Sequence, residues 1–242
     1  PRENIAVISG IGCSSRFPYY MGTYGFHTIH GRAPAFASGL KCTRPELSVW
    51  LITGDGDCLS IGGNHIIHLM RRNPDLQVMM FDNQIYGLTK GQYSPTSEVG
   101  KKTKSTPYGS IDTPFNPLTL MLGAGASFVA RSVDVFAKHL RETLTEANNH
   151  KGTSFVQIYQ NCNIFNDKAY AAFTDRGVRD ERVIYLQNGE PIVWGKAEPK
   201  GFVLDGLALK EVTLGEEYTA SDCVVHDTSN RTLANLLALL EH

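Results

Sequence analysis

Two short polar segments stand directly after apolar runs, and their residue types and spacing suit the binding of a charged cofactor. A Gly-Asp-Gly triplet at positions 54–56 follows the run Val49–Thr53, and Asn83 follows the run Val78–Phe81. Glycines let the backbone turn tightly against a bulky anion, and the amides at the start of a following helix can donate to phosphate oxygens. Carboxylate and amide oxygens are ligands that Mg²⁺ accepts, so the pattern predicts a diphosphate site in which Asp55 and Asn83 hold the cation.

The same triplet has a plainer interpretation as the turn between a strand and a helix. In that case Asp57 or Ser60 is the N-cap of the helix, because short polar side chains accept hydrogen bonds from the first helical amides. Taken alone, the triplet favours the interpretation as a strand-to-helix turn. Its combination with the Asn83 segment instead favours a cofactor site.

A parallel sheet would bring the two segments together, and the chain carries the pattern of such a sheet. Short apolar runs alternate with amphipathic stretches as far as about residue 160, which predicts an α/β fold with a doubly wound, mostly parallel sheet. Open sheets of this kind bind ligands at the carboxyl ends of their strands. The predicted strands are Ile5–Ser9, Ser48–Thr53, Gln77–Phe81, Ser127–Ala130 and Ser154–Tyr159, and the predicted crossover helices are Ile61–Arg72 and Val133–Asn148.

The pattern changes after residue 170, which predicts a second part of the chain. Residues 1–170 are expected to form the cofactor-binding α/β domain, and residues 171–242 an extension of it. Within the extension, Asn188-Gly189 predicts a tight hairpin turn, and Arg231–Leu240 a terminal helix. The strands of that hairpin would be Val183–Leu186 and Pro191–Trp194.

One connection in the first part is unusually long. The segment from Tyr93 to Pro117 is polar and rich in Ser, Thr, Pro and Lys, and it follows the Asn83 segment closely. Ordinary connections between elements are much shorter, so this segment is predicted to be a functional loop.

Composition excludes several classes of function. Lys and Arg total 23 and Asp and Glu total 24, so the formal charge of −1 predicts no broad attraction to nucleic acid or to an anionic membrane. The apolar runs fall short of the roughly 18–20 residues that a membrane span needs. The five cysteines are odd in number and lack C-x-x-C spacing, which argues against a disulfide scaffold and favours a reducing cytoplasm.

Longer stretches of sequence carry a resemblance to a known family. The Gly-Asp-Gly triplet joined to Asn83 resembles the thiamine diphosphate motif, although the Asn-Asn pair that usually closes this motif reads Asp82-Asn83 here. The stretches 11–16, 27–33, 54–65 and 82–92 resemble β subunits of 2-oxoacid:ferredoxin oxidoreductases. The resemblance extends from about residue 5 to residue 170, and the tail resembles the 2-oxoglutarate branch of the family.

The resemblance implies a set of residues around thiamine diphosphate and Mg²⁺. Asp55, Asn83 and the main-chain carbonyl of Ile85 would be the ligands of the cation. His27 and His30 are candidates for proton transfer, because the ordinary pKa of histidine is close to neutrality, although a loop histidine is more often structural. The further cofactor contacts would come from Gly54, Gly56, Asp57, Gly87, Leu88, Thr89 and His30.

The resemblance also implies a reaction, the oxidative decarboxylation of a 2-oxoacid with coenzyme A as acyl acceptor and ferredoxin as electron acceptor. The expected substrate is 2-oxoglutarate, because Arg16 stands at a position that resembles the specificity site of the family and a guanidinium can pair with a distal carboxylate. Lys90 is a candidate for binding the 2-oxo carboxylate. Pyruvate, a branched 2-oxoacid or indolepyruvate is the alternative substrate, and the reaction is expected to run in either direction.

An iron–sulfur cluster is implied as the relay that passes single electrons to ferredoxin. By resemblance, Cys13 and Cys162 are two of the four ligands of a 4Fe–4S cluster. The other two would come from a C-x-x-C pair that this sequence lacks, so a further segment upstream of Pro1 is expected. The three remaining cysteines, Cys42, Cys58 and Cys223, are expected to be core or wall residues.

A partner chain is the last implication of the resemblance. Thiamine enzymes need a carboxylate against the aminopyrimidine ring, and no segment here resembles the one that carries it. A separate α subunit is expected to supply that glutamate in an αβ or (αβ)₂ assembly. From another class of function, the alternative is a non-catalytic subunit whose Gly-Asp-Gly triplet merely holds a phosphate or nucleotide.

Overall fold

The computed structural model describes residues 1–240, so residues 241 and 242 of the predicted extension lie outside the described part of the chain. The chain divides into two compact units, the first of residues 1–169 and the second from Tyr170 onward. The division into a cofactor-binding domain and an extension stays a prediction.

Six parallel strands form the sheet of the first unit, which confirms the predicted α/β fold. The spatial order is β2-β1-β3-β4-β6-β5, and every neighbouring pair runs parallel. Strands β4 and β6 are buried along their whole length, as expected for apolar runs in a parallel sheet covered by helices. The bounds are β1 Ile5–Ser9, β2 Tyr24–His27, β3 Ser48–Gly54, β4 Gln77–Asp82, β5 Phe128–Val133 and β6 Ser154–Tyr159.

Helices connect and flank these strands. Helix α5 begins where Pro117 can take the first helical position and where Asn116 Oδ1 accepts hydrogen bonds from the amides of Leu118 and Thr119. The bounds are α1 Phe17–Tyr20, α2 Ala33–Thr43, α3 Asp55–Leu59, α4 Gly63–Arg72, α5 Pro117–Gly123 and α6 Ala137–Asn149, with 3₁₀ turns at Arg2–Asn4 and Cys13–Arg16. No helix among residues 1–240 is both long enough and apolar enough to cross a membrane.

The hydrophobic core lies between the sheet and the helices. Side chains from four central strands meet in one cluster, against which Leu140 and Leu144 of α6 pack. Burying each large apolar side chain contributes about 1.5–3 kcal/mol, so this cluster stabilises the packing of α6 against the four strands. Its buried members are Val7, Ile52, Met79, Phe81, Ala147, Val156 and Ile158.

Two strand bounds match the prediction, and other elements differ from it. Strands β1 and β6 have the predicted bounds, whereas β5 continues to Val133, which pairs with Tyr159 in the sheet, so α6 begins only at Ala137. Strand β2 was not predicted, because its residues are all exposed at an edge of the sheet and give no buried apolar run. Helices α2 and α5 were also not predicted.

The segment after β3 folds differently from either sequence interpretation. Helix α3 begins at Asp55, directly inside the triplet, and α4 begins separately at Gly63 instead of at Ile61. Gly54 occupies the N-cap position of α3, so neither Asp57 nor Ser60 is the predicted N-cap. The carboxylate of Asp57 is used for tertiary hydrogen bonds, as described below.

The second unit contains a small antiparallel sheet in the order β7-β8-β9, but its hairpin does not lie at Asn188-Gly189 as predicted. Residues 183–186 form no strand, and Asn188 Oδ1 accepts hydrogen bonds from the amide and hydroxyl of Thr228. The hairpin turns instead at Gly206, which has a φ of 61°, a value that glycine adopts without strain. The bounds are α7 Ala171–Thr174, α8 Arg179–Arg182, β7 Val193–Trp194, β8 Lys200–Asp205, β9 Ala208–Thr213, a 3₁₀ turn Ala220–Asp222, and the predicted terminal helix as α9 Arg231–Ala238.

Candidate cofactor site

The predicted polar segments lie side by side at the carboxyl edge of the sheet. Gly54, the last residue of β3, pairs in register with Phe81 of β4, so Asp55 and Asn83 leave adjacent strand ends. A cavity of about 540 Å³ opens there, and both residues line it. Ligands are expected at this edge of an open α/β sheet.

The cavity collects most of the residues predicted from the sequence and leaves four of them outside its wall. Arg16, Lys90, His27 and Cys162 do not line it. The predicted residues that line it are Cys13, His30, Gly54, Asp55, Gly56, Asp57, Asn83, Ile85, Gly87, Leu88 and Thr89.

Asp55 is a buried carboxylate held by two hydroxyl groups. Its Oδ2 accepts hydrogen bonds from Ser94 Oγ at 2.5 Å and from Thr96 Oγ1 at 2.8 Å. Burial, and then the neighbouring Asp82, raise the pKa of Asp55 to about 7, against hydrogen bonds that lower it. A divalent cation beside Asp55 would stabilise the charged form, so the buried carboxylate suits a metal ligand.

The donor set around Asp55 consists of oxygen atoms. Asn83 is partly buried, and its Oδ1 accepts a hydrogen bond from the amide of Ile85 at 3.3 Å in a tight turn. Oxygen ligands suit hard Mg²⁺, which keeps water and phosphate oxygens in its remaining positions. Within residues 1–240 no group of three or more His, Cys, Asp and Glu side chains is arranged for a metal. The predicted set takes one carboxylate, one amide and one carbonyl, and so does not depend on such a group.

Asp82, the residue that departs from the usual motif, is an internal hydrogen-bond acceptor. It is 1% exposed, and it does not line the cavity. Thr96 Oγ1 lies 2.8 Å from its Oδ1, and Gln157 Nε2 donates to its Oδ2 at 2.7 Å. Gln157 in turn accepts a hydrogen bond from Arg131 Nε at 2.9 Å. Asp82 therefore connects the loop that carries Thr96 to strands β6 and β5.

Asp57 ties three segments of the site together. Its Oδ1 accepts hydrogen bonds from the amides of Ile11 at 3.0 Å and Gly31 at 2.7 Å, and its Oδ2 accepts one from Thr53 Oγ1 at 2.6 Å. His30 Nδ1 lies 3.1 Å from Asp57 Oδ1. The loops that follow β1 and β2 are thus fixed to the end of β3.

Glycine is required where the site packs most closely. A Cβ on Gly10 would lie 1.9 Å from Asp57 Oδ2, and a Cβ on Gly56 would lie 2.1 Å from the ring of Tyr86. Tyr86 also donates a hydrogen bond from its hydroxyl to the carbonyl of Gly56 at 3.2 Å. The sequence suggested that the backbone amides near Asp55 would come from the start of the helix predicted at Ile61. Because Gly56 lies in α3, these amides belong instead to that short helix.

The two cysteines predicted as cluster ligands converge beside Gly87. A Cβ on Gly87 would lie 3.4 Å from the sulfur of Cys13 and 3.6 Å from that of Cys162. Burial, and then the proximity of Cys162, raise the pKa of Cys13, while Arg16 lowers it. Two sulfur atoms on one side of a glycine fit two ligands of a metal cluster.

The other cysteines differ from one another. Cys58 and Cys223 are buried, as expected. Burial, followed by the charges of Asp57, Asp55 and Asp82, raises the pKa of Cys58 well above its ordinary value. Cys42 is exposed on α2 and does not line the cavity, so its predicted position as a core or wall residue is wrong.

The predicted substrate and proton-transfer residues lie in different surroundings. Arg16 is exposed beside Cys13, with its guanidinium 5.6 Å from the ring centroid of Tyr20. Lys90 is exposed in a turn at a φ of 77°. His27 Nδ1 is 3.0 Å from Ser9 Oγ and outside the cavity wall, whereas His30 lines the cavity and is oriented by Asp57.

The long loop after residue 93 contributes residues that were not predicted from the sequence. Ser94, Thr96 and Ser97 are buried at its start, while Tyr108 and Ile111 are exposed further along. The sequence signal that could have identified these residues is the presence of three hydroxyl side chains within four positions, shortly after the Asn83 segment. Gln157 and Tyr86 were missed as well, because their contacts arise only when β6 and the turn after β4 meet the site.

The fold and the site together define an α/β domain that binds a cofactor at the carboxyl edge of a parallel sheet. The family described as thiamine pyrophosphate enzyme, C-terminal TPP binding domain, matches residues 10–158, and the chain belongs to this family.

Individual relatives confirm the resemblance to β subunits of 2-oxoacid oxidoreductases. The chain is 57% identical to the 2-oxoglutarate oxidoreductase subunit KorB of Mycobacterium tuberculosis, over 93% of this chain and 60% of that protein. It is 46% identical to subunit beta of 2-oxoacid:ferredoxin oxidoreductase 1 of Aeropyrum pernix, over 69% of this chain and 52% of that one. The chain thus spans only part of the length of these curated relatives.

A solved structure is also similar. It is the 2-oxoglutarate:ferredoxin oxidoreductase of Magnetococcus marinus with 2-oxoglutarate, coenzyme A and succinyl-CoA bound, at 46% identity and a TM-score of 0.68. The match covers 69% of this chain and 57% of that chain.

Proposed function

We propose that this chain is the β subunit of a 2-oxoacid:ferredoxin oxidoreductase that converts 2-oxoglutarate to succinyl-CoA and can run in either direction. The observation that carries the proposal is the joint position of Asp55 and Asn83 on one cavity wall, in a chain 57% identical to a 2-oxoglutarate oxidoreductase subunit. The partners are an α subunit, ferredoxin, coenzyme A and the 2-oxoacid. Five free cysteines are in keeping with a cytoplasmic location.

In the proposed site the protein binds and orients, and the cofactor supplies the reactive carbon. Asp55, Asn83 and the carbonyl of Ile85 would hold Mg²⁺ and so the diphosphate. Thiamine diphosphate, when bound, would supply the nucleophilic carbon and the electron sink that decarboxylation of a 2-oxoacid needs. Asp57 keeps the surrounding loops closed, and His30, paired with Asp57 at the wall, can hold a proton at its other ring nitrogen.

The activity is tested with the protein purified together with its partner subunit. Reduction of ferredoxin or a viologen is followed with 2-oxoglutarate, pyruvate, a branched 2-oxoacid and indolepyruvate, each with coenzyme A. We expect reduction to depend on 2-oxoglutarate. A protein that binds the diphosphate and reduces no acceptor with any of these acids would instead be the non-catalytic phosphate-binding subunit.

Arg16 is proposed to select the substrate by pairing with the distal carboxylate of 2-oxoglutarate. Arg16→Ala is expected to raise the KM for 2-oxoglutarate about tenfold or more, because a charge-assisted bidentate pair is worth about 1.5–3 kcal/mol. The KM for pyruvate, which lacks that carboxylate, should stay unchanged. The matched control is Arg141→Ala, on the exposed side of α6. An unaltered KM for 2-oxoglutarate would remove Arg16 from substrate recognition and leave Lys90 as the candidate cation.

Cys13 and Cys162 are proposed as two ligands of a 4Fe–4S cluster that passes electrons singly to ferredoxin. Cys162→Ser is expected to lower the iron content and the visible absorbance of the purified complex by more than half, because a hydroxyl replaces a thiolate that iron prefers. Cys42→Ser, which changes an exposed cysteine away from this pair, should keep both values. Iron analysis and absorbance spectra measure the effect, and equal iron in both variants would rule out Cys162 as a ligand.

A further inference from the structure

The hydroxyl groups that hold Asp55 act on only one of its two oxygens. Ser94 Oγ and Thr96 Oγ1 both donate to Oδ2, at 2.5 and 2.8 Å. Both hydroxyl groups therefore occupy the space beside Oδ2, although the single hydrogen of Thr96 is shared with Asp82 Oδ1, which also lies at 2.8 Å. Within residues 1–240 the side-chain hydrogen bonds of Asp55 fall on Oδ2, and the main-chain amide of Gly56 is the further donor to this carboxylate.

The two donors are themselves held firmly. Ser94 and Thr96 are 2% and 5% exposed. The amide of Ser94 donates to Ser97 Oγ, which donates in turn to the carbonyl of Gln84, so the loop is fastened to the turn that carries Asn83. The Thr96 hydroxyl also lies against Asp82, which Gln157 fixes to β6. Neither hydroxyl can swing away without breaking buried hydrogen bonds, and such breaks are costly.

The use of one carboxylate oxygen matters for the choice of cation. Mg²⁺ demands a near-ideal octahedron of six ligands, whereas Ca²⁺ accepts six to eight and can bind a carboxylate through one oxygen or through both, so limiting a carboxylate to one oxygen removes a binding mode that Ca²⁺ uses. A carboxylate with only one oxygen available therefore suits Mg²⁺ better than Ca²⁺.

We infer that Ser94 and Thr96 are positioning residues that restrict Asp55 to a single metal-binding oxygen and thereby make the cofactor site select Mg²⁺ over Ca²⁺. The inference rests on the proposed thiamine diphosphate site and extends it to two residues that do not themselves line the cavity. They act through Asp55, so their effect is on the identity of the cation rather than on the reacting atoms.

The test compares the two cations in the full-length protein purified with its partner subunit. Metal and cofactor are removed with a chelator, thiamine diphosphate is kept in excess, and the concentration of Mg²⁺ or Ca²⁺ that gives half-maximal cofactor binding is measured by calorimetry. For Ser94→Ala and Thr96→Val we expect the ratio of the Ca²⁺ value to the Mg²⁺ value to fall about tenfold, the effect of losing one hydrogen bond to a charged group. Thr96→Ser, which keeps the hydroxyl, should retain the parent ratio.

Two controls separate this inference from a general loss of structure and from the proposed function. Ser105→Ala removes an exposed hydroxyl from the same loop and should leave the ratio unchanged. If Thr96→Val does not fold, Ser94→Ala supplies the same measurement. Equal weakening of both cations would mean that the hydroxyls serve stability alone, and the inference would be wrong. If the parent protein itself bound no thiamine diphosphate with either cation, the proposed function would fail instead.

Discussion

An Asp55→Asn protein is expected to bind thiamine diphosphate with Mg²⁺ about a hundredfold more weakly than the parent, or worse, and yet to be more stable without them. The loss of binding follows because Asn83 and a carbonyl remain as neutral ligands, and the only carboxylate in the proposed set is gone. Calorimetry with thiamine diphosphate and Mg²⁺ measures the binding. Retained affinity in this variant would contradict the proposed metal site.

The gain in stability follows from the pKa of the same group. Burial raises the pKa of Asp55 from 3.8 to about 7, so the folded protein holds this proton more tightly than the unfolded chain does. Ionising the buried group lowers the free energy of unfolding. This cost is absent below pH 3.8, grows as the pH rises from 3.8 to about 7, and is complete above about pH 7. Its upper limit is about 4 kcal/mol.

Asparagine never ionises, so this cost disappears in the variant. We expect the Tm of the cofactor-free Asp55→Asn protein to exceed that of the parent by several degrees at pH 8, at about 2–4 °C for each kcal/mol. The difference should shrink at pH 5, where the parent is largely protonated. Thermal unfolding at the two pH values measures it, and a variant that is less stable at both would show that Asp55 supports the fold.

Asp57→Ala is expected to lower the free energy of unfolding by about 3–5 kcal/mol, the largest loss of stability that we expect from one polar substitution at the site. The carboxylate serves the amides of Ile11 and Gly31 and the hydroxyl of Thr53, all at 3.0 Å or less. Removing it leaves the two amides without their acceptor in a site where Asp57 is 3% exposed and shifts the Thr53 hydroxyl to the Gly54 carbonyl at 3.3 Å, and each unsatisfied buried group costs about 1–3 kcal/mol. Urea denaturation of the cofactor-free protein measures the loss.

Two further variants give this result its meaning. Asp57→Asn keeps the size of the side chain and one acceptor oxygen, so its loss should be smaller than that of Asp57→Ala. Asp112→Ala removes an exposed carboxylate that accepts a hydrogen bond from the hydroxyl of Tyr93, and should cost less than about 1 kcal/mol. If Asp57→Ala cost no more than Asp112→Ala, the two loops and the end of β3 would be held together by other contacts.

Much of the fold could be read from local sequence. The runs that became β3, β4 and β6 are apolar over most of their length, and such runs are stable only where helices cover both faces of a parallel sheet. The edge strand β2 gave no such signal, because its four residues are exposed and include Gly25. In the second unit, residues 188 and 189 do form a turn, but residues 183–186 before it form no strand, and the antiparallel pair forms on the two sides of Gly206 instead.

The candidate site also has one part that could be predicted from the sequence and another that could not. The adjacency of Asp55 and Asn83 follows from sequence, because residues after neighbouring parallel strands must meet at one edge of the sheet. The partners of these residues do not follow from it. Ser94 and Thr96 lie about forty positions beyond Asp55, and Gln157 lies 75 positions beyond Asp82.

Sequence by itself therefore indicated a parallel sheet and a diphosphate site after two of its strands, since both depend on periodicity or on residues that follow directly after a strand, and the resemblance to a known family added thiamine diphosphate as the cofactor. Only the tertiary structure decided that Asp57 joins two loops to the end of β3, that Asp82 faces inward, and that two hydroxyls lie against one oxygen of Asp55. The physical reason is that a buried polar group must find a partner wherever the fold brings one within about 3 Å, and that distance is set by packing rather than by separation along the chain.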